Sequence, residues 1–248
     1  MAGGETLAEG LEPISANGWP PAEVGRLGDW RLHADRGYSG RANACWPIGA
    51  PGLALGEAIG AVERWYAARG LPAVFRPADI AATVVLREAL QGLDYQARKP
   101  TLVMVGALPA AQTAETVALS TDPDPAFRAL FLASADDPGD AAERIAAVAR
   151  IAPPRAFARI ERDGEPAAVG AAAVEAGWAG LFAMRTAPAH RRQGLARAIV
   201  LALSAYAAQA GARQAYLQVE AANTPAVALY EGLGFKPAYG YRYWEKPA

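Results

Sequence analysis

Apolar positions along the chain change their spacing several times, and each change predicts an element. Leu55, Ile59, Val62 and Tyr66 recur at helical spacing with Gly70 as a natural stop, so the pattern predicts an amphipathic helix over 55–70. Leu195, Ile199, Ala202, Leu203 and Tyr206 form a second stripe, predicting a helix from Gln193 to Ala210 that ends at Gly211. Pro125–Leu132, Ala141–Arg150 (with Asp140 as N-cap) and Pro225–Leu233 also read as helices. Short apolar or alternating runs predict strands over 30–33, 40–46, 74–76, 83–87, 102–105, 116–119, 156–162, 167–175, 181–184, 214–220 and 239–244. Pro153-Pro154 ends helical structure, and Asp163-Gly164 marks a tight turn. The first 29 residues are rich in Gly, Pro and Glu and show no clear period.

Strands first, then helices alternating with strands, predict a mixed α/β (α+β) sheet. The 248 residues suffice for one large domain or two of ordinary size, and Pro109–Thr113 is the best linker candidate. The run Val62–Leu71 faintly echoes Ala226–Phe235, matching Tyr66 to Tyr230 and Gly70 to Gly234. Ile59 stands in the slot of Asn223, however, and no phosphate-type loop precedes the first copy. The echo reads residues 1–112 as a degenerate half-domain and 113–248 as a second domain; unrelated helix-turn-strand segments would look alike too.

Composition narrows the function. A 52% hydrophobic and 20% charged chain suits a soluble globular protein. A net charge of -1 gives no basic field for nucleic acid. Cys45 is the sole cysteine, which excludes an intrachain disulfide and suits a cytoplasmic location. Met1–Glu5 lacks a basic start and no apolar core follows, so no signal peptide is expected. The apolar stretch 196–208 is interrupted by Arg197 and Ser204, too short and polar for a membrane span. His33, His190 and Cys45 lie too far apart for metal-ligand spacing, so no metal is expected.

Candidate chemistry concentrates near the end of the chain. Arg191-Arg192-Gln193-Gly194-Leu195-Ala196 stands between a strand and a helix. A helix N-terminus offers unpaired N–H groups and partial positive charge, which suit a pyrophosphate. Gly194 and Ala196 allow close approach of the backbone, and Arg191 and Arg192 add charge. A helix that starts on Gly beside a solvated Arg pair would look the same. Downstream, Asn223, Ala226, Leu229, Tyr230, Gly234 and Phe235 surround one short helix. Arg191-x-x-Gly194-x-Ala196 after Thr186-Ala187-Pro188, followed by this second motif, resembles the acetyl-CoA site of the GNAT superfamily of N-acyltransferases over about residues 114–248. Residues 20–76, with Trp30-Arg31-Leu32 and Gly40-Arg41-Ala42-Asn43, resemble an N-terminal extension of some bacterial members.

The resemblance implies a GNAT-type, mainly antiparallel sheet flanked by helices, and acyl transfer from acetyl-CoA to an amine acceptor. It implies cofactor contacts at Met184, Arg185, Thr186, Arg191, Arg192, Gln193, Gly194, Leu195, Ala196, Arg197, Asn223 and Tyr230. Tyr230 is the implied general acid, since a phenol stays protonated at neutral pH and can donate to a leaving thiolate. Ribosomal-protein N-acetyltransferases place a basic Glu where this chain has Gln218, which cannot take a proton. Glu220, two residues on, and Glu175 are the candidate bases, and each is equally a solvated strand-end carboxylate. Arg41, Asn43, Trp46 and Trp178 are candidates to line an acceptor cleft, or for packing. The competing readings are a non-catalytic acyl-CoA-binding module and a protein-interaction module.

Overall fold

The computed structural model of the protein describes residues 2–133 and 137–247. It contains two compact units, one of residues 1–103, 219–223 and 237–248, the other of residues 104–218 and 224–236.

The first unit opens with α1 (Ala2–Asn17), where the sequence showed no period. Among its described side chains the buried positions are Ala8, Leu11, Glu12, Ser15 and Ala16, spaced as one helical face. Two of the five are polar, so a pattern of apolar residues alone misses the helix. β1 (Glu23–Leu27), β2 (Trp30–Ala34) and β3 (Cys45–Trp46) form a small antiparallel sheet. Of the strand expected over 40–46 only Cys45 and Trp46 pair, because Gly40–Ala42 is a turn of 3-10 helix. α2 (Leu55–Ala67) buries Ala58, Ile59, Val62 and Tyr66 in a core with Trp30, Leu32, Cys45 and Phe75. The strand expected over 74–76 reduces to isolated bridges at Phe75.

The strand expected over 83–87 is instead the start of α3 (Val84–Gly92). Leu86 and Leu90, one helical turn apart, are buried while Val85 is exposed, so core burial outweighs the β-branched preference. β4 (Gln96–Ala107) leaves the unit after Val103. Its first half runs beside β10 (Lys236–Glu245), where a side chain on Gly240 would press on the Thr101 carbonyl at 3.1 Å.

The centre of this unit is polar. Arg76 is fully buried, ion-paired to Glu12, with its guanidinium 3.7 Å from the Trp46 ring and 3.5 Å from that of Tyr241. Tyr239 donates to Glu12 at 2.7 Å. His33 lies against Trp46, its Nδ1 3.2 Å from the Arg41 carbonyl. Burial, with a smaller push from Arg31 and Arg76, drives its pKa down to about 4, against an opposing hydrogen bond to Arg41. Folded His33 is therefore neutral, whereas the unfolded residue protonates near pH 6.5. The resulting stability is present above about pH 6.5 and is lost as pH falls toward about 4, roughly 3 kcal/mol in all. Chemical denaturation at stepped pH checks this: His33→Gln flattens the fall between those values, and an unchanged slope contradicts it.

In the second unit, β5 (Ala118–Ser120), β6 (Arg155–Arg162), β7 (Glu165–Glu175), β8 (Trp178–Thr186) and the first part of β9 (Gln214–Glu220) form a sheet in the order β9-β8-β7-β6-β5. All pairs are antiparallel except β8 with β9. Both hairpins turn on two left-handed residues, Asp163-Gly164 and Ala176-Gly177. The helices are α4 (Pro125–Ala133), α5 (Pro138–Ala149), α6 (Leu195–Gln209) and α7 (Thr224–Glu231). Asp137, not Asp140, caps α5 by accepting from the Gly139 amide at 2.6 Å; Asp140 pairs with Arg144 one turn on.

α4 and α6 cover opposite sheet faces. The Phe127 ring of α4 meets Phe157 of β6 at 5.3 Å, and Phe157 lies opposite Ala171. The neighbouring Gly170 faces the other way, where an added Cβ would come within 2.6 Å of Ile199 of α6.

Candidate functional site

The site begins at a break in β8. Its antiparallel register with β7 shifts between Val169↔Arg185 and Ala171↔Phe182, and Ala183 is left-handed at φ 55°. This is a β-bulge, which bends the strand and re-aims the residues beyond it. Gly170 sits at the shift because Met184 needs the space: a Cβ there would lie 2.5 Å from its sulfur. The parallel register of β8 with β9 ends at Leu181↔Leu217, while β8 itself continues to Thr186. The stretch 182–186 therefore extends past the last β8–β9 pair, and holds the expected contacts Met184, Arg185 and Thr186.

The loop after β8 is anchored by the Ala187 amide on the Ala167 carbonyl at 2.9 Å and by a turn of 3-10 helix over Pro188–His190. Arg192 (φ 63°) and Gly194 (φ 80°) are both left-handed. Gly194 is the N-cap of α6, so the helix starts at Leu195, two residues later than expected. Among the described residues, none beyond the chain neighbours of Gly194 has an atom within 4 Å of where its Cβ would stand. The first amides of α6 have no acceptor within the helix, and its dipole adds positive character. Arg191, Arg192, Gln193 and Arg197 are exposed around this end, Ala196 is half-buried and Leu195 is buried in the core. Such a helix start has the chemistry to accept an anion such as a pyrophosphate.

Tyr230 lies on α7 and is 7% exposed, edge-on to Phe235 at 6.1 Å. Burial pushes its phenol up to about 12, and the positive charge of Arg185 opposes the rise. Arg185 itself is half-buried, donates to the Met184 carbonyl at 3.0 Å and lies 4.9 Å from the Phe131 ring of α4. Tyr230, Arg185 and the bulge thus form one neighbourhood within the second unit.

Glu175 is exposed at the hairpin end of β7, opposite Trp178, so strand rise separates it from Met184 by about 20 Å. Glu220 and Asn223 belong to the first unit, exposed, joined by a turn in which the Asn223 amide donates to the Glu220 carbonyl at 2.9 Å. Asn223 immediately precedes α7, the position of an N-cap. Asn43 and Trp46 are buried in the first unit, and Arg41 stacks on Trp19 at 4.1 Å, so these three are packing residues. Trp178 stays half-buried, edge-on to Tyr216. His190 is half-buried in the loop before the Arg pair. The bulge had one signal in the sequence, a glycine (Gly170) in the middle of an otherwise regular strand.

The two echoing helix ends share a hydrogen-bond pattern. In one unit the amides of Arg69 and Leu71 reach the Tyr66 carbonyl and that of Gly70 reaches Ala67. In the other, Leu233 and Phe235 reach Tyr230, and Gly234 reaches Glu231. Gly70 and Gly234 are both left-handed, as such helix ends require. The side chains differ in use: the Tyr66 hydroxyl is tied to the His33 carbonyl at 2.9 Å.

Comparison with known proteins agrees with this architecture. Residues 9–244 match the family described as "Probable histone acetyltransferase Rv0428c C-terminal". An uncharacterized N-acetyltransferase of Bacillus subtilis, YobR, is 25% identical over 94% of this chain and 96% of its own. The [ribosomal protein bS18]-alanine N-acetyltransferase of Escherichia coli is 36% identical over 80 residues, 32% of this chain and 54% of its own. A GCN5-related N-acetyltransferase from Kribbella flavida has the same fold, with a TM-score of 0.72 at 18% identity over 98% of this chain and 96% of its own. No helix among the described residues is long and apolar enough to cross a membrane, and no group of metal-ligating side chains occurs among them. The chain belongs to the GNAT family of N-acetyltransferases and is an acyltransferase.

Proposed function

We propose that the protein transfers the acetyl group of acetyl-CoA to a primary amine of a small molecule or peptide by direct attack, with Tyr230 as general acid. The observation that carries this reading is the β8 bulge followed directly by the left-handed Gly194 cradle at the start of α6. Acetyl-CoA supplies an acyl group activated as a thioester. The open space at Gly194 and the exposed Arg191 and Arg192 fit its phosphates. Backbone groups of Met184 and Thr186 hold the pantetheine arm and polarise the carbonyl, an effect worth a few kcal/mol in such sites. Gln193, Leu195, Ala196 and Arg197 complete the phosphate contacts, and Asn223 bonds the arm.

The neutral amine attacks the thioester carbonyl to form the N–C bond and an oxyanion; as the oxyanion collapses the C–S bond breaks, and Tyr230 delivers a proton to the departing sulfur. Its high pKa keeps that proton in place across the neutral range. Glu220 or Glu175 receives the amine's proton through water. Residues 1–112 are read as a degenerate counterpart of the catalytic domain 113–248, supported by the shared helix ending, and the protein as cytoplasmic.

The acceptor named for one relative is an alanine of a ribosomal protein, and the matching family is described as a probable histone acetyltransferase, which favours amines carried on polypeptides. Incubation with acetyl-CoA and amine or peptide acceptors tests the reading. Free CoA thiol and an acceptor heavier by one acetyl group are expected in equal amounts. Acetyl-CoA binding without transfer to any acceptor contradicts it and favours an acyl-CoA sensor, for which Gln218 at the usual base position is the supporting observation.

A further inference from the structure

We propose that Gly106 of β4 is a positioning residue for the reaction: by letting two backbones meet at the turn after α7, it fixes where Tyr230 stands. The inference rests on the acetyl-transfer reading above, in which Tyr230 is the general acid.

The last residues of β4, Met104–Ala107, precede the linker expected at Pro109–Thr113, yet they belong to the second unit. Gly106 lies there, half-buried. A glycine inside a strand packs no side chain and costs chain entropy, and one reason for it is the close approach of another backbone. That approach is present. A Cβ built on Gly106 would stand 3.1 Å from the Gly234 carbonyl oxygen and 3.2 Å from the Phe235 Cα. Carbon contacts are favourable at about 3.5–4.0 Å, so a methyl group here displaces the turn by a few tenths of an ångström. Both atoms it meets are backbone, and no side chain can rotate out of the way.

The turn is coupled to Tyr230 at three points. The amides of Leu233 and Phe235 both donate to the Tyr230 carbonyl, each at 3.0 Å. The Phe235 ring meets the Tyr230 ring edge-on at 6.1 Å. Phe235 is 1% exposed and Tyr230 7%, so neither ring has open solvent to move into. A push on Gly234 and Phe235 is therefore passed to the backbone and the ring that carry the phenol. The β8 bulge and the start of α6 lie on other elements, so the push moves the proton donor and leaves those cofactor contacts in place. A proton donor acts only within hydrogen-bond reach of the atom it serves. A misplacement of about 1 Å costs about 100-fold in rate, and a few tenths of an ångström about tenfold.

The test measures kcat and KM for acetyl-CoA, with one peptide acceptor, in wild type, Gly106→Ala, Tyr230→Phe and the double variant. Gly106→Ala is expected to lower kcat by about tenfold with KM for acetyl-CoA within about twofold of wild type. In the Tyr230→Phe background the same substitution changes kcat by less than about twofold, because the proton it misplaces is already gone. Wild-type kcat in folded Gly106→Ala overturns the inference. So does an equal loss in both backgrounds, the mark of a purely structural effect. Hydrogen exchange on wild type needs no variant to fold: the Leu233 and Phe235 amides are expected among the slowly exchanging ones, and exchange at the rate of exposed loops overturns the inference. No transfer by wild type, or wild-type kcat in Tyr230→Phe, overturns the reading of Tyr230 as general acid, and this inference with it.

Discussion

Replacing Tyr230 with Phe lowers kcat by about 10²–10⁴-fold, the usual contribution of a positioned proton donor. The substitution removes one oxygen and keeps the ring, so the edge-on contact with Phe235 survives and acetyl-CoA affinity changes little. The loss therefore falls on kcat and not on KM for acetyl-CoA. The pH profile adds a sign. With its phenol at about 12, Tyr230 stays protonated throughout an assay from neutral pH to 10, and it contributes no alkaline fall in that range. Because folding raises this pKa above the ordinary value near 10, the folded chain holds the proton more tightly. The stability that gives is full below about pH 10 and is lost as pH rises toward about 12. A Tyr230→Phe enzyme with wild-type kcat would remove Tyr230 from the mechanism.

Removing Glu12 costs about 3–5 kcal/mol of stability, because it leaves a buried charge without its partner. Arg76 is fully buried between Trp46 and Tyr241, where water cannot replace the carboxylate, and the Tyr239 hydrogen bond to Glu12 is lost as well. Urea unfolding of Glu12→Ala measures the loss. The double variant Glu12→Leu/Arg76→Met recovers much of it, since a buried pair exchanged for apolar groups is often neutral. A loss below about 1 kcal/mol for Glu12→Ala would mean that Arg76 reaches solvent in solution.

The parts legible in the sequence are those set by local periodicity or local chemistry. The stripe Leu195–Tyr206, the hairpin at Asp163-Gly164 and the strand Gln214–Glu220 all carry their cause within a few residues. The start of α6 at Gly194 was legible because a left-handed position beside a helix start favours glycine. What was hidden depends on distant partners. α1 shows no apolar face because Glu12 and Ser15 are buried on it, and Glu12 makes sense only beside Arg76, 64 residues away. The Val84-Val85 pair reads as strand until the burial of Leu86 and Leu90 is known. The bulge lies between two strands, so neither strand states it alone. The place of Arg185 over Phe131 follows from that bulge and was equally out of reach.

The central claim, that the β8 bulge and the Gly194 cradle hold acetyl-CoA, is tested most directly by thermal unfolding with and without saturating acetyl-CoA, in wild type and Gly194→Glu. A ligand at about 100 times its Kd that binds only the folded state adds roughly 2.7 kcal/mol, a readily measured rise in Tm. The Glu side chain would put a carboxylate into the anion cradle and force a left-handed backbone on a residue with a Cβ. The account predicts a rise in wild type and none in the variant. An equal rise in both would place the cofactor elsewhere, and no rise in folded, CoA-free wild type would contradict the account.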